Sequence, residues 1–84
     1  MKFMVHAKFR LQDQKEILAR LPLEQARLKE LKDQGIVEAL YIGSDLSQVW
    51  IALQGETQDD AQKGLASLPL YPYMEVETTL LSEM

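Results

Sequence analysis

Residues 36–54 read IVEALYIGSDLSQVWIALQ. Ile36–Gly43 is a β-branched and aromatic run, Ser44, Asp45 and Leu46 supply a turn, and Gln48–Gln54 is a second such run. Two runs of this kind joined by a short polar turn predict a β-hairpin. What flanks the hairpin decides the fold. Upstream, EQARLKELKDQ (residues 24–34) is rich in strong helix formers. Leu21, Leu28 and Leu31 share one face of that helix, and Glu24, Lys29, Lys32 and Asp33 are expected to point mostly away. Gly35 sits where a C-terminal cap belongs. Downstream, Thr57 is placed to cap a second helix, with Asp59 and Asp60 in the first turn, where the helix dipole favours anions. Ala61, Leu65 and Leu68 form its buried stripe, and Pro69 and Pro72 stop it.

Further out, Asp13 and Glu16 have the spacing of a capping box before Ile17, Leu18 and Leu21. Pro22 then predicts a kink or a restart of that first helix. Lys2–Phe9 alternates, with Phe3, Val5, Ala7 and Phe9 on one side and Lys2, Met4, His6 and Lys8 on the other. That is the period of a strand with one buried face. Tyr73–Leu80 alternates as a last strand, with Glu75 and Glu77 on one side. The order is therefore β-α-β-β-α-β, one α+β domain over residues 1–84. It is the ferredoxin-like split βαβ arrangement, a four-stranded antiparallel sheet with both helices on one face. Right-handed crossovers give the strand order 4-1-3-2.

Two helices cover one face of such a sheet, and the other is polar in a monomer. Here both sides of the middle strands carry apolar residues: Ile36, Leu40 and Ile42 alternate with Val37, Ala39 and Tyr41, and Val49, Ile51 and Leu53 with Trp50 and Ala52. A second copy of the chain is the expected cover, the alternative being a monomer with a few exposed apolar residues. The 84-residue length points the same way, because a core this small benefits from a staple. With no Cys and a single His, no disulfide or thiolate metal site supplies one, and neither a metal nor a cofactor is expected.

Nine basic against thirteen acidic residues leave a formal charge of −4. Nucleic acids and anionic membranes ask for the opposite sign, so neither is an expected partner. No apolar stretch approaches a bilayer span, and Met1–Arg10 does not read as a signal peptide, so the cytoplasm is the expected compartment.

Residues 66–77, ASLPLYPYMEVE, carry an LPL-aromatic-PYM element between the second helix and the last strand. It resembles the corresponding element of muconolactone Δ-isomerases. The resemblance takes in Met1, Phe3 and Val5 of the opening strand, Gly35, Leu40, Tyr41, Leu65 and Leu68, and covers about residues 1–80. It implies a dimeric α+β barrel with two subunits packed sheet to sheet, some members forming rings. It also implies an isomerase or related proton-transfer catalyst, free of cofactors, acting on a small lactone or aromatic breakdown product. Two features depart from the family. Where those isomerases carry basic and aromatic residues, residues 36–39 are Ile, Val, Glu and Ala. Glu38 would repel a substrate carboxylate, so muconolactone itself is not the expected substrate. The chain also ends at Met84, without most of the family's C-terminal tail.

His6 is the candidate catalytic residue, since imidazole shuttles protons near neutral pH as a 1,2-proton shift requires. The alternative for His6 is a strand residue facing the partner subunit or satisfied by a carbonyl. Glu38, Tyr41 and Trp50 are the candidate substrate-pocket residues, the two aromatics as a wall for a flat ligand. Their alternative is an ordinary core or interface role. At the level of function, the alternative to an enzyme is a non-catalytic small-molecule-binding or assembly module on the same fold.

Overall fold

The computed structural model describes residues 1–82. The chain end at Met84 lies outside them. Four strands form one antiparallel sheet: β1 (Lys2–Phe9), β2 (Val37–Ile42), β3 (Gln48–Gln54) and β4 (Met74–Leu81). Helix α1 (Gln14–Asp33) joins β1 to β2, and α2 (Gln58–Ala66) lies between β3 and β4. The strand order is β2-β3-β1-β4, which is the expected 4-1-3-2 read from the opposite edge.

The alternation of β1 sets the two sides of the sheet. Phe3, Val5 and Ala7 are buried, and their cross-strand partners Leu53, Ile51 and Val49 are buried with them. Ile17 and Leu31 of α1 and Ala61 and Leu65 of α2 join the same cluster. Both helices therefore cover one face. The other face, bearing Lys2, Met4, His6 and Lys8 with their partners Gln54, Ala52, Trp50 and Gln48, is left open.

Strict alternation does not hold on β2. Val37 is opposite Leu53 and Ala39 opposite Ala52, so two steps on β2 match one on β3. This is a β-bulge at Glu38. It turns Val37 to the helix side with Leu40 and Ile42, where unbroken alternation had grouped it with Ala39 and Tyr41. Of the kink or restart expected at Pro22, the restart does not occur: helix α1 runs through the proline as one element. Its stripe packs against the core on both sides of the proline, through Ile17 and Leu31, and that packing outweighs the missing hydrogen bond. Asp13 occupies the cap position of α1, but its side chain makes no capping bond. A 3₁₀ turn over Leu11–Asp13 leads directly into the helix, and Asp13 has φ −100° and ψ 17° instead of the extended cap conformation. At α2 the expected cap forms, with the Asp60 amide donating to Thr57 Oγ1 at 3.2 Å.

The end of α1 is set by Gly35, at φ +78°. The Ile36 amide donates to the Leu31 carbonyl at 2.9 Å and the Gly35 amide to that of Lys32 at 3.0 Å. Together these form a complete Schellman cap. The cap lays Ile36 against α2, where a Cβ on Gly64 would come within 3.0 Å of Ile36 Cγ2. Nothing lies within 4 Å of a Cβ built on Gly35, so a side chain there meets backbone strain alone. Gly35→Ala is expected to lower stability by about 1 kcal/mol, read as a shift in denaturant midpoint at unchanged slope. An unshifted midpoint would remove the cap from the account of how α1 ends.

Candidate active site

Helix α1 does not close on the sheet along its whole length. Between residues 14–28 of the helix and the helix-side face of β2 and β3 lies a cavity of about 440 Å³, within the usual range of small-molecule sites. Ile17, Leu21, Leu28, Leu40, Val49 and Met74 are among its apolar walls. The β2–β3 turn and the corner after α2 close its ends through Leu46 and Leu70.

Glu24 stands in this wall and is only 6% exposed. This corrects the expectation that Glu24 points mostly away from the core. Its spacing says otherwise: Glu24 lies three residues after Leu21 and four before Leu28, in the same stripe. The Leu70 amide donates to Glu24 Oε1 at 3.2 Å, across 46 residues of sequence. Among the described residues no group bonds Oε2. Burial holds the carboxyl above its ordinary pKa, and the Leu70 bond works weakly against that shift. An acid in apolar surroundings with a raised pKa is the form in which a carboxyl serves as general acid or base near neutral pH.

The polar rim includes Arg10 and Asp45. Arg10 donates from Nη1 to the Pro72 carbonyl at 3.3 Å. The Ser47 amide and hydroxyl donate to Asp45 Oδ1 at 3.0 and 2.8 Å, which lowers the Asp45 pKa and keeps it charged. The same turn holds Leu46 at φ +65°, a conformation usually left to glycine. Its strain is retained at the mouth of the cavity, where Leu46 is 71% exposed.

His6, Tyr41 and Trp50 come together, but on the open face of the sheet. The His6 and Trp50 rings stack with centroids 5.0 Å apart and 9° between planes. His6 Nε2 lies 2.7 Å from Gln48 Oε1. Tyr41 is opposite Trp50 in register and 66% exposed. Glu38, carried out by the bulge, pairs with Lys2 Nζ at 3.4 Å. None of the four lines the cavity, which lies on the other side of the sheet. The repulsion expected of Glu38 toward a substrate carboxylate therefore has no place in this pocket. Among the described residues no cluster of three or more His, Cys, Asp or Glu could hold a metal ion. No helix among them is long and apolar enough to cross a membrane.

A family model described as muconolactone delta-isomerase matches residues 1–84. The chain belongs to this family. No curated protein matches it. Among solved structures, the 5-chloro-2-hydroxyhydroquinone dehydrochlorinase of Burkholderia phenoliruptrix, in complex with 2,5-dihydroxybenzoquinone, superposes with a TM-score of 0.81. The match covers 100% of this chain and 96% of that one at 14% identity, and so concerns the fold.

The raised pKa of Glu24 makes a stability prediction with a definite sign. A carboxyl that binds its proton more tightly when folded destabilises the fold in its charged form. That effect is absent below the unfolded value of about 4.5 and complete above the raised folded value. Glu24→Gln keeps an oxygen for the Leu70 amide and removes the charge. It is expected to raise the melting temperature near pH 8 and to lose that advantage near pH 4. An equal difference at both pH values would show that Glu24 burial does not disfavour its charge.

Proposed function

We propose that this protein is a small-molecule isomerase or lyase that works by proton transfer, with Glu24 as its acid/base. The observation that carries the reading is a nearly buried carboxyl, with its pKa raised, in the wall of an apolar cavity of ligand size. Membership of the muconolactone delta-isomerase family agrees with it. In its ionised form Glu24 removes a proton from a carbon next to a carbonyl, leaving an enolate. The protonated carboxyl then returns that proton to a second carbon, which completes an isomerisation and regenerates the carboxylate. If the enolate instead expels a leaving group, as the name of the dehydrochlorinase describes for chloride, the same first step begins an elimination. The Leu70 amide fixes Oε1, so Oε2 is the oxygen available to the substrate.

The test is deuterium uptake from solvent into a panel of butenolides and cyclic enones, followed by proton NMR. The protein is expected to accelerate uptake into at least one of them, and Glu24→Gln to reduce that rate at least about 100-fold while remaining folded. Full activity in Glu24→Gln would remove Glu24 from the mechanism. It would return attention to His6.

We further propose that the open sheet face is where two copies meet, with the His6–Trp50 stack and exposed Tyr41 in the interface. The cytoplasm is the compartment this reading takes. Met4, Ala39 and Ala52 give the face an apolar centre that no helix covers. Dilute-solution light scattering is expected to report at least twice the 9.6 kDa chain mass, and Trp50→Glu to shift it toward one chain. A 9.6 kDa particle for the unmodified protein would rule the dimer out.

A further inference from the structure

We infer that the cavity between α1 and the sheet selects uncharged ring compounds bearing a weakly acidic hydroxyl or C–H, and discriminates against ring compounds that carry a carboxylate. The inference rests on the proposed catalytic cavity and adds the charge of its substrate. Among the described residues three ionisable side chains line that cavity: Arg10, Glu24 and Asp45. Two are acids. Asp45 is held in its charged form by Ser47, and Glu24 is the acid in the interior. The one cation, Arg10, is exposed at the rim and its guanidinium already serves the Pro72 carbonyl. Solvent screens its attraction for an anion there.

A carboxylate drawn inward leaves that weak partner and loses its hydration among Ile17, Leu40, Val49 and Met74. It also approaches Glu24, whose own ionisation is already disfavoured by burial. A neutral ring meets none of these costs. Its hydroxyl or acidic C–H finds Glu24 Oε2, the polar atom no protein group occupies among the described residues. The mouth extends the same preference outward. Leu18, Ile42 and Leu46 line it and are 57, 55 and 71% exposed, so an alkyl or halogen substituent reaching out of the cavity still meets apolar surface.

The probes are 4-ethylphenol and 4-hydroxyphenylacetate, which share a ring and a hydroxyl and differ in charge. Affinities for the full chain are measured by NMR titration at neutral pH, with nuclear Overhauser contacts to the methyls of Ile17, Leu40, Val49 and Met74 locating the ligand. The phenol is expected to bind at least about 10-fold more tightly and to show those contacts. Glu24→Gln, which removes the interior acid, is expected to narrow the difference between the probes. Leu40→Trp, which fills the cavity, is expected to abolish phenol binding; if that variant does not fold, the methyl contacts in the unmodified protein decide the location. Equal or tighter binding of the carboxylate overturns the inference. So does failure of both probes to bind, or contacts confined to the open sheet face. A neutral preference without deuterium exchange would leave the inference standing and remove the catalytic role, so the two failures are separable.

Discussion

A buried hydrogen bond runs from the Leu70 amide to Glu24 Oε1 and ties the middle of α1 to the corner that follows α2. The cavity is arranged around it. An apolar residue at position 24 would continue the stripe of Leu21 and Leu28 and would have every reason to press into the sheet. A carboxyl cannot be pressed into an apolar wall without a partner. The Leu70 amide supplies a partner for one oxygen, and the carboxyl borders the cavity beside α1. The LPLYPY corner thus has a mechanical role in the site. Two prolines and a 3₁₀ turn over Tyr71–Tyr73 hold it, with Arg10 bonded to Pro72 and Arg20 lying 5.0 Å over the Tyr73 ring.

The bulge at Glu38 separates the two faces of the sheet into different tasks. By adding one residue to β2 it places Val37, Leu40 and Ile42 together on the helix side, as floor and mouth of the core and cavity. It sends Ala39 and Tyr41 to the open face beside Trp50 and His6. The aromatic and imidazole groups that draw the eye in the sequence therefore belong to a surface. The acid in the pocket comes from a helix.

The element order was legible because it rests on local patterns. Alternation marks β1, formers mark α1, and Gly35 and Thr57 cap the helices as their residue types require. Pro22 suggests a kink or a restart because its penalty is local, whereas the packing that carries α1 through it comes from the sheet and α2. The residue type points Glu24 outward, since a glutamate on a helix is usually solvated. The signal against that reading was its i+3 and i−4 spacing from Leu21 and Leu28. The bulge left no signal that alternation could detect, since β2 is apolar at most positions whichever face each takes.

The βαββαβ order, the Gly35 and Thr57 caps, the acidic charge and the family resemblance are all legible in the chain, because each is written in composition, in neighbouring residues or in an uninterrupted motif. Which side of the sheet holds the cavity, and that Glu24 stands in its wall, follow from the packing of α1 on the sheet. Both depend on contacts across long sequence separations: Val37 with Leu53 for the register, Glu24 with Leu70 for the site. A side chain's pKa, partner and access to a ligand are properties of its surroundings, and those surroundings exist only once α1 lies against the sheet.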